Sequence, residues 1–292
     1  MVAVMKKNEV SWAHSPAPEM DATMFAQWQA LLEARVGMQI EPERKVFLQT
    51  HLNLRMREIG CTDYADYYQR IVDGPHGAVE WTILVDHLTV QETSFFRHSD
   101  SYQLVRKYLR DRFSKKPTRK AVEFWSVGCS SGEETYSLAI LAEEELGKRG
   151  YYYGVTGTDV SLSVLSKAKK AVYAERKLSG LTEQQKKTYF IKQDNHKYTI
   201  QQSLKDRVCF AQLNVLNLNQ ALMHGMDVIF CQNMLIYFRR WRRKEIVNRL
   251  VERLAPGGLL VLGLGEVTDW KHPELERVDD KKTLAFIRRT DS

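Results

Sequence analysis

Beyond Lys120, short apolar stretches typical of buried strands alternate with stretches whose apolar residues recur at helical spacing. Strands that alternate with helices indicate an α/β domain, in which a mainly parallel sheet carries helices on both faces. The predicted strands are AVEFWSV (121–127), YYYGVTGTDV (151–160), MDVIFCQN (226–233), GGLLVLGLG (257–265) and KTLAFIRR (282–289), and the predicted helices are TYSLAILAEEEL (135–146), SLSVLSKAKKAVY (161–173) and RWRRKEIVNRLVERL (240–254).

The segment from about 176 to 212 interrupts this alternation. Its stretches KTYFIKQDNHKYTI (187–200) and RVCFAQLNV, which runs to residue 215, predict short antiparallel strands and hence a small β insertion. Before residue 91 the apolar spacing is helical, which predicts a separate helical bundle. The predicted organisation is a flexible lead (1–20), an all-helical N-terminal domain (21–90) and an α/β domain (91–292).

Composition narrows the class of protein. No apolar run approaches the roughly 18 residues that a membrane-spanning helix needs, and MVAVMKKNEV at the start lacks the apolar core of a secretory signal. These features predict a cytoplasmic protein without membrane insertion. The four cysteines are far apart in the sequence, which predicts buried free thiols and neither disulfides nor a metal site.

Positive charge is concentrated in the α/β part of the chain. The net charge is +7, yet residues 21–97 carry 7 basic and 11 acidic side chains, whereas residues 98–292 carry 34 basic and 23 acidic ones. A surplus of this kind favours an acidic partner, which is either nucleic acid or an acidic protein. The run RRWRRK (239–244) belongs to this region and is either a solvated helix face or part of such a contact.

The stretch GCSSGEE (128–134) follows the first predicted strand and opens a helix. In open α/β sheets, ligands bind over such a strand–helix loop. Two glutamates at this helix start would repel a phosphate, so they favour a ligand with a positive end, such as the sulfonium and amino groups of S-adenosylmethionine. Asp159, which ends the next strand, is placed to accept both ribose hydroxyls. A purely structural alternative is that the glutamates only complement the helix dipole.

Further motifs follow in a characteristic order. Together with the glycine loop, they resemble those of the CheR-type chemotaxis receptor methyltransferases, over about residues 20 to 289. The motifs are VQETSFFRH (90–98), GTDVS (157–161), AQLNVLN (211–217), IFCQNMLIYF (229–238) and APGGLLVLGLGE (255–266).

The resemblance implies a Rossmann-like S-adenosylmethionine-dependent methyltransferase domain with a small antiparallel β insertion, preceded by an all-helical domain. It also implies an activity. Members of this family methylate glutamate side chains on the cytoplasmic helices of methyl-accepting chemoreceptors, which gives glutamate methyl esters for sensory adaptation. We expect a monomeric protein-glutamate O-methyltransferase that uses S-adenosyl-L-methionine as its cofactor and no metal.

The resemblance assigns roles to individual positions. Four residues depart from the usual family pattern. Gln91 stands where the family usually has Asn or Arg, Gln232 replaces an arginine, and Leu264 with Gly265 replaces a His-Ser pair. Either Glu133 or Glu134 is the cofactor acid, and Asp159 is the ribose acid. The expected catalytic residues are Arg97 and Tyr237, and the expected cofactor-binding residues are Gln91, Thr93, Arg97, Gly128, Glu133, Glu134, Asp159, Asn214, Val215, Gln232 and Asn233.

The chemistry expected of these residues is simple. A glutamate with a pKa of about 4.3 is already a nucleophile near neutral pH, so no general base is required. Arg97 would pair with the substrate carboxylate, and Tyr237 would orient it by a hydrogen bond. Two alternatives remain at this point. One is a nucleic-acid methyltransferase, although CQNMLIY lacks the Pro-Pro of base N-methylating enzymes; the other is a non-catalytic cofactor-binding module that docks on a receptor, with Gln232 as a sign of lost activity.

Overall fold

The structure is a computed structural model that describes residues 18–89, 91–114, 121–194 and 196–290. Most of the predicted lead (1–20) therefore lies outside the described residues. The chain divides into two compact units, one formed by residues up to 34 together with 40–88 and the other by 35–39 together with 89–292. The predicted domain boundary at residue 90 and the predicted flexible lead at residues 1–20 stay predictions.

Ten helices and ten strands make up the two units within the described residues. The helices are α1 (Ala22–Val36), α2 (Lys45–Glu58), α3 (Tyr64–Val72), α4 (Gly77–Leu88), α5 (Ser99–Arg112), α6 (Glu133–Glu145), α7 (Leu162–Lys170), α8 (Glu183–Tyr189), α9 (Gln202–Lys205) and α10 (Arg240–Val251). The strands are β1 (Val122–Val127), β2 (Tyr153–Asp159), β3 (Val172–Ala174), β4 (Phe190–Lys192), β5 (Lys197–Ile200), β6 (Val208–Gln212), β7 (Met226–Cys231), β8 (Leu254–Leu262), β9 (Leu275–Arg277) and β10 (Leu284–Arg288).

Aromatic side chains form the centre of the helical unit. Trp28 of α1 is fully buried, and its ring centroid lies 5.6 Å from that of Tyr67 and 5.2 Å from that of Tyr68, both on α3. Leu48 and Leu52 of α2 are also fully buried and lie one helical turn apart. The predicted all-helical N-terminal domain is confirmed.

A half-buried charge network links three of these helices. Arg55 of α2 binds the carboxylate of Glu80 on α4 through two nitrogens, each 2.7 Å from an oxygen, and the Tyr67 hydroxyl of α3 donates to the same carboxylate at 2.8 Å. Burial opposes ionisation of Glu80, but the hydrogen bonds from Arg55 and Tyr67 outweigh it and lower the pKa of the carboxyl. The ionised form of Glu80 therefore stabilises this unit.

The second unit contains a seven-stranded sheet in the order β6-β2-β1-β7-β8-β10-β9. The first five strands are parallel, and β10 and β9 are antiparallel to their neighbours. Alternate residues of each strand face opposite sides, so Phe124 and Val228 lie in a core with α5, α6 and α7, whereas Trp125 and Ile229 lie in a core with α10. Both faces carry helices, as predicted. Within the described residues, every helix falls short of the length and apolar character needed to cross a membrane.

The insertion differs from its predicted bounds. Strands β3, β5 and β4 form a separate antiparallel sheet, which begins at Val172. The helix predicted over 161–173 was too long, because Ala171 adopts a left-handed conformation (φ +54°) that ends α7. Placing RVCFAQLNV among the antiparallel strands was also wrong. It forms β6, which pairs in parallel with β2 at the edge of the main sheet.

The cysteines match their prediction in three of four positions. Cys61, Cys129 and Cys231 are buried free thiols, as expected, whereas Cys209 is free but exposed. Its exposure follows from the edge position of β6, where alternate side chains point to solvent.

The charge network in the helical unit predicts a loss of stability that depends on pH. Glu80→Gln should lower the free energy of unfolding by about 2 kcal/mol, since it removes a charge that accepts three hydrogen bonds. The folded pKa lies below the unfolded one, so this contribution is present above pH ~4.3 and is lost as pH falls through the folded pKa. Urea unfolding of parent and variant at pH 7 and pH 3.5 measures it.

Glu58→Gln is the matched control for that experiment. Glu58 also pairs with Arg55, at 2.8 Å, but its side chain is 51% exposed, and exposed pairs contribute about 0.5 kcal/mol or less. Equal losses in the two variants would contradict a special role for Glu80.

Candidate active site

The loop between β1 and α6 is held by the end of β2. The backbone amides of Gly128 and Cys129 donate to the Thr158 carbonyl at 2.8 and 2.9 Å. The next amide, that of Ser130, donates to the Asp159 carboxylate at 2.9 Å. Three successive amides of the loop are therefore bound to two residues at the carboxyl end of β2, which fixes the loop over the edge of the sheet.

The two glycines of this loop are required by space and by conformation. Both adopt left-handed backbone angles, with φ of +75° at Gly128 and +92° at Gly132. A Cβ at Gly128 would lie 2.7 Å from Cγ of Met234, and one at Gly132 would lie 2.8 Å from Cβ of Ala168. The loop backbone therefore approaches its neighbours too closely for any side chain at these positions.

The adjacent glutamates at the start of α6 have different environments. Glu133 is buried, accepts a hydrogen bond from the Ser131 hydroxyl at 2.7 Å and lies 3.5 Å from Nζ of Lys177. Glu134 lines a pocket and accepts from the Ser126 hydroxyl at 2.7 Å. Burial raises the pKa of both carboxyls, that of Glu134 to about 8. The sequence left open which of the two glutamates is the cofactor acid. Of the two, only Glu134 lines the pocket.

A second acid lies near Glu134. Glu266 is only 3% exposed, and its carboxylate accepts from the Gly263 amide at 3.0 Å. Burial raises the pKa of Glu266 to about 7, and its charge helps to raise the pKa of Glu134. Sequence analysis did not include Glu266 among the site residues, although its position just beyond β8 is the usual place for one in an α/β sheet.

The segment before α5 is anchored by an aromatic side chain. Phe95 is buried, and its ring lies edge-on to Tyr173 of β3 and Phe190 of β4, with centroid distances of 5.0 and 5.3 Å. Phe96 has a left-handed backbone (φ +51°), and its amide donates to the Ser137 hydroxyl at 3.0 Å. These contacts hold the following residue, Arg97, at the pocket.

Arg97 and Gln91 occupy opposite ends of this segment. Arg97 is exposed, lines the pocket and donates from Nη1 to the Glu92 carbonyl at 3.1 Å. Gln91 does not line the pocket, and its side-chain oxygen accepts from Lys167 at 2.9 Å. The guanidinium of Arg97 lowers the pKa of Glu134, although burial dominates at that carboxyl.

The residues after β7 present two amide side chains. Gln232 is buried, and its NH2 group donates to the Ser101 hydroxyl at 2.9 Å and to the Leu262 carbonyl at 3.1 Å, whereas its oxygen has no hydrogen-bond partner among the described residues. Asn233 has a left-handed backbone (φ +58°), and its oxygen lies 2.7 Å from Nε2 of His98.

These elements converge on one pocket. Seven of the residues predicted from the sequence line it, namely Thr93, Arg97, Gly128, Glu134, Gln232, Asn233 and Tyr237. Sequence analysis missed the other lining residues, which are Glu92, Ser94, His98, Tyr102, Cys129, Ser130 and Ile236. Five predicted residues do not line it, namely Gln91, Glu133, Asp159, Asn214 and Val215. The roles predicted for all twelve stay predictions.

Two of the residues outside the lining have clear local partners. Asn214 donates from its side-chain nitrogen to the Arg35 carbonyl at 2.7 Å, and its side-chain oxygen accepts from the Leu216 amide at 3.0 Å. The second oxygen of Asp159 accepts from the Ser161 amide at 3.0 Å. Asp159 therefore joins the loop after β1 to the turn after β2.

The pocket suits S-adenosylmethionine. The Ser130 hydroxyl and the Gln232 side-chain oxygen are buried polar atoms without hydrogen-bond partners in the described part of the chain. Buried polar atoms of this kind are usually satisfied, so a ligand with donors and acceptors would complete them. The Glu134 carboxyl lines the same pocket, which is where the predicted cofactor acid should lie. The described residues contain no cluster of three or more His, Cys, Asp or Glu side chains arranged to hold a metal.

The raised pKa of Glu134 in the pocket predicts a pH-dependent affinity for the cofactor. The pKa of about 8 keeps Glu134 largely protonated at pH 7, and a cationic ligand favours its ionised form. Affinity for S-adenosylmethionine should therefore rise between pH 6 and pH 8, by up to about tenfold per pH unit, and binding should release a proton. Calorimetry in buffers of different ionisation enthalpy measures both quantities.

Two variants complete that test. Glu134→Gln should bind more weakly and lose the pH slope, whereas Glu133→Gln, which changes the neighbouring buried acid, should keep the slope. A parent affinity that does not change with pH would show that Glu134 does not face the cation.

Asp159 should also control cofactor affinity. Asp159→Ala should weaken both S-adenosylmethionine and its demethylated product by about 1.5–3 kcal/mol, the range for hydrogen bonds to a charged group. Asp159→Asn retains one acceptor oxygen for the Ser130 amide, so it should lose less. Calorimetric affinities that match the parent in both variants would refute the placement of Asp159 at the ribose.

The chain is similar in sequence to chemotaxis protein methyltransferases. A chemotaxis protein methyltransferase of Klebsiella aerogenes is 34% identical over 245 residues, which cover 83% of this chain and 82% of the relative. Another from Escherichia coli is 31% identical and covers 83% of each chain. Among solved structures, magnesium protoporphyrin IX methyltransferase from Synechocystis with bound SAM is 15% identical, and the match covers 82% of this chain and 96% of that one with a TM-score of 0.38.

Two protein-family models together match most of the chain. Residues 91–284 match the CheR methyltransferase SAM binding domain, and residues 23–89 match the CheR methyltransferase all-alpha domain. The resemblance inferred from the motifs is thereby confirmed, together with the methyltransferase fold and S-adenosylmethionine as the cofactor. The chain belongs to the CheR methyltransferase family.

Proposed function

We propose that this protein methylates glutamate side chains of a methyl-accepting chemoreceptor in the cytoplasm, as a monomer, and so adapts a chemosensory signal. The observation that carries the proposal is that one pocket is lined by both an acid, Glu134, and an exposed guanidinium, Arg97. The first suits a cationic cofactor and the second an anionic substrate. The chemotaxis methyltransferases that resemble the chain support the same activity.

The protein's task in this reaction is to position and desolvate a carboxylate. Bound S-adenosylmethionine supplies an electrophilic methyl group next to a positive sulfur. Arg97 pairs with the substrate carboxylate, so the anion stays in place when water leaves it. In a site with little water, that pairing is stronger than it is in bulk solvent, because the effective dielectric constant is lower. Because the carboxylate is itself the nucleophile, no residue has to remove a proton.

Tyr237 has a supporting role in this proposal. It lines the pocket and is half-buried, and its backbone carbonyl accepts from the Gln39 amide at 2.8 Å. The turn that carries Tyr237, Leu235–Tyr237, begins four residues after the end of β7 at Cys231. From this position the tyrosine orients the substrate carboxylate by one hydrogen bond, which adds no charge.

The change from arginine to Gln232 does not favour a non-catalytic protein. The Gln232 side chain is buried and its NH2 group is bound on two sides. Its free oxygen remains available to accept from a ligand. We propose that Gln232 contributes to cofactor binding through this oxygen, and that methyl transfer depends on Arg97, which the chain retains.

The basic run 239–244 is largely occupied by contacts within the chain. Arg242 pairs with Glu245 at 2.6 Å, and Arg243 donates to the carbonyls of Phe238 at 2.7 Å and Ile236 at 3.2 Å. Side chains engaged in this way contribute less to a phosphate-binding surface than free cations do. The basic run therefore gives little support to the nucleic-acid alternative.

Label transfer from methyl-tritiated S-adenosylmethionine tests the proposed substrate. Receptor cytoplasmic fragments, RNA and DNA are offered in parallel. Base-labile label on the receptor, expected here, indicates glutamate methyl esters. Label on nucleic acid would support a nucleic-acid methyltransferase, and cofactor binding without any label transfer would support a docking module.

Arg97 should separate methyl transfer from cofactor binding. In single turnover at saturating cofactor, Arg97→Ala should lower the rate of receptor methylation by about 10²-fold or more, as expected when one electrostatic stabiliser of a dry site is lost. Arg97→Lys should recover only part, because an ammonium lacks the bidentate fork for a carboxylate. Tyr237→Phe should cost less than Arg97→Ala.

A separate measurement of cofactor affinity shows whether a slower rate reflects weaker cofactor binding or slower methyl transfer. Arg97→Ala should bind cofactor nearly as the parent does. A loss of affinity in proportion to the rate would assign Arg97 to the cofactor pocket alone, and an unchanged rate would contradict the mechanism.

A further inference from the structure

The side chains of His98 and Asn233 meet in the lining of the pocket. Nε2 of His98 lies 2.7 Å from Oδ1 of Asn233, although the two residues are 135 positions apart in the chain. His98 follows Arg97 and immediately precedes α5, but its side chain makes no capping hydrogen bond to that helix. The imidazole is exposed. Its bond to Asn233 is therefore its main contact.

The chemistry of the two groups sets the direction of this bond. An amide oxygen only accepts, so the imidazole must carry a proton on Nε2 and donate it. The oxygen of Asn233 is then turned toward His98, and its NH2 group is left with two hydrogens to donate. Asn233 lines the pocket, so this NH2 group can donate to a ligand there.

We propose that His98 is a positioning residue, which orients the amide of Asn233 so that its NH2 group donates to an oxygen of bound S-adenosylmethionine. Without the imidazole, the amide would be free to rotate and to present either its oxygen or its nitrogen. Holding one orientation in advance saves the entropy of ordering that side chain when the cofactor binds. This inference concerns the cofactor only and does not depend on the proposed glutamate substrate.

The backbone of Asn233 supports a role for its side chain. Its left-handed conformation (φ +58°) is one that asparagine adopts more readily than most residues, and glycine adopts it freely. Asn233→Gly therefore removes the amide without straining the backbone. At position 98, glutamine places its side-chain nitrogen near the position of Nε2, whereas asparagine is one methylene shorter and does not reach Asn233. These two replacements form a matched pair.

The test measures affinity for the demethylated cofactor, S-adenosylhomocysteine, by calorimetry. His98→Ala should bind about 5- to 10-fold more weakly, which corresponds to one hydrogen bond. His98→Gln should recover most of the affinity, and His98→Asn should resemble His98→Ala. Asn233→Gly should lose at least as much, and the double variant His98→Ala/Asn233→Gly should bind no more weakly than Asn233→Gly alone.

Several results would overturn the proposal. Losses that add in the double variant would show that His98 acts independently of Asn233. Equal recovery by glutamine and asparagine would indicate that only bulk matters. Asn233→Asp retains an acceptor for His98 but loses the donor, so parent-like affinity in this variant would refute the donor role. Urea unfolding midpoints should match the parent's in all His98 variants, and a shift that tracks affinity would indicate a merely structural role.

Discussion

Three hydrogen bonds between the end of β2 and the loop after β1 hold the site together. Gly128, Cys129 and Ser130 donate their amides to Thr158 and Asp159, so the loop takes one shape. This shape determines where α6 begins, and the beginning of α6 determines which of two adjacent glutamates faces the pocket. Asp159 therefore holds the loop in addition to its predicted contact with the ribose. A substitution of Asp159 should alter the loop conformation as well as that contact.

The acid and the guanidinium that line the pocket, Glu134 and Arg97, have different environments. Glu134 is inside, where burial makes ionisation unfavourable until a cation arrives. Arg97 is at the exposed edge, where solvent stabilises its charge until an anion displaces water. Glu266 raises the cost of ionising Glu134 further. A cofactor that carries positive charge compensates the ionised form of Glu134, so the arrangement favours a charged methyl donor over a neutral analogue of similar shape.

Much of this organisation could be predicted from local pattern. Strand ends such as Asp159 and the turn glycines, Gly128 and Gly132, have signatures that do not depend on distant residues. Other features could not be predicted. Neighbouring residues of a helix point about 100° apart, so only the packing of α6 decides between Glu133 and Glu134. The contact of His98 with Asn233 joins distant segments, and short strands such as β6 do not reveal whether their partner is parallel or antiparallel.

The aromatic anchor at Phe95 limits how this domain can be re-engineered. Its ring fits between Tyr173 and Phe190, which belong to the small sheet, and it lies two residues before Arg97. The small sheet is therefore not an independent cassette. If the small sheet were replaced by one from another protein that lacked either aromatic ring, Phe95 would lose a packing partner. The guanidinium of Arg97 would then be displaced, even if every residue of the pocket were retained.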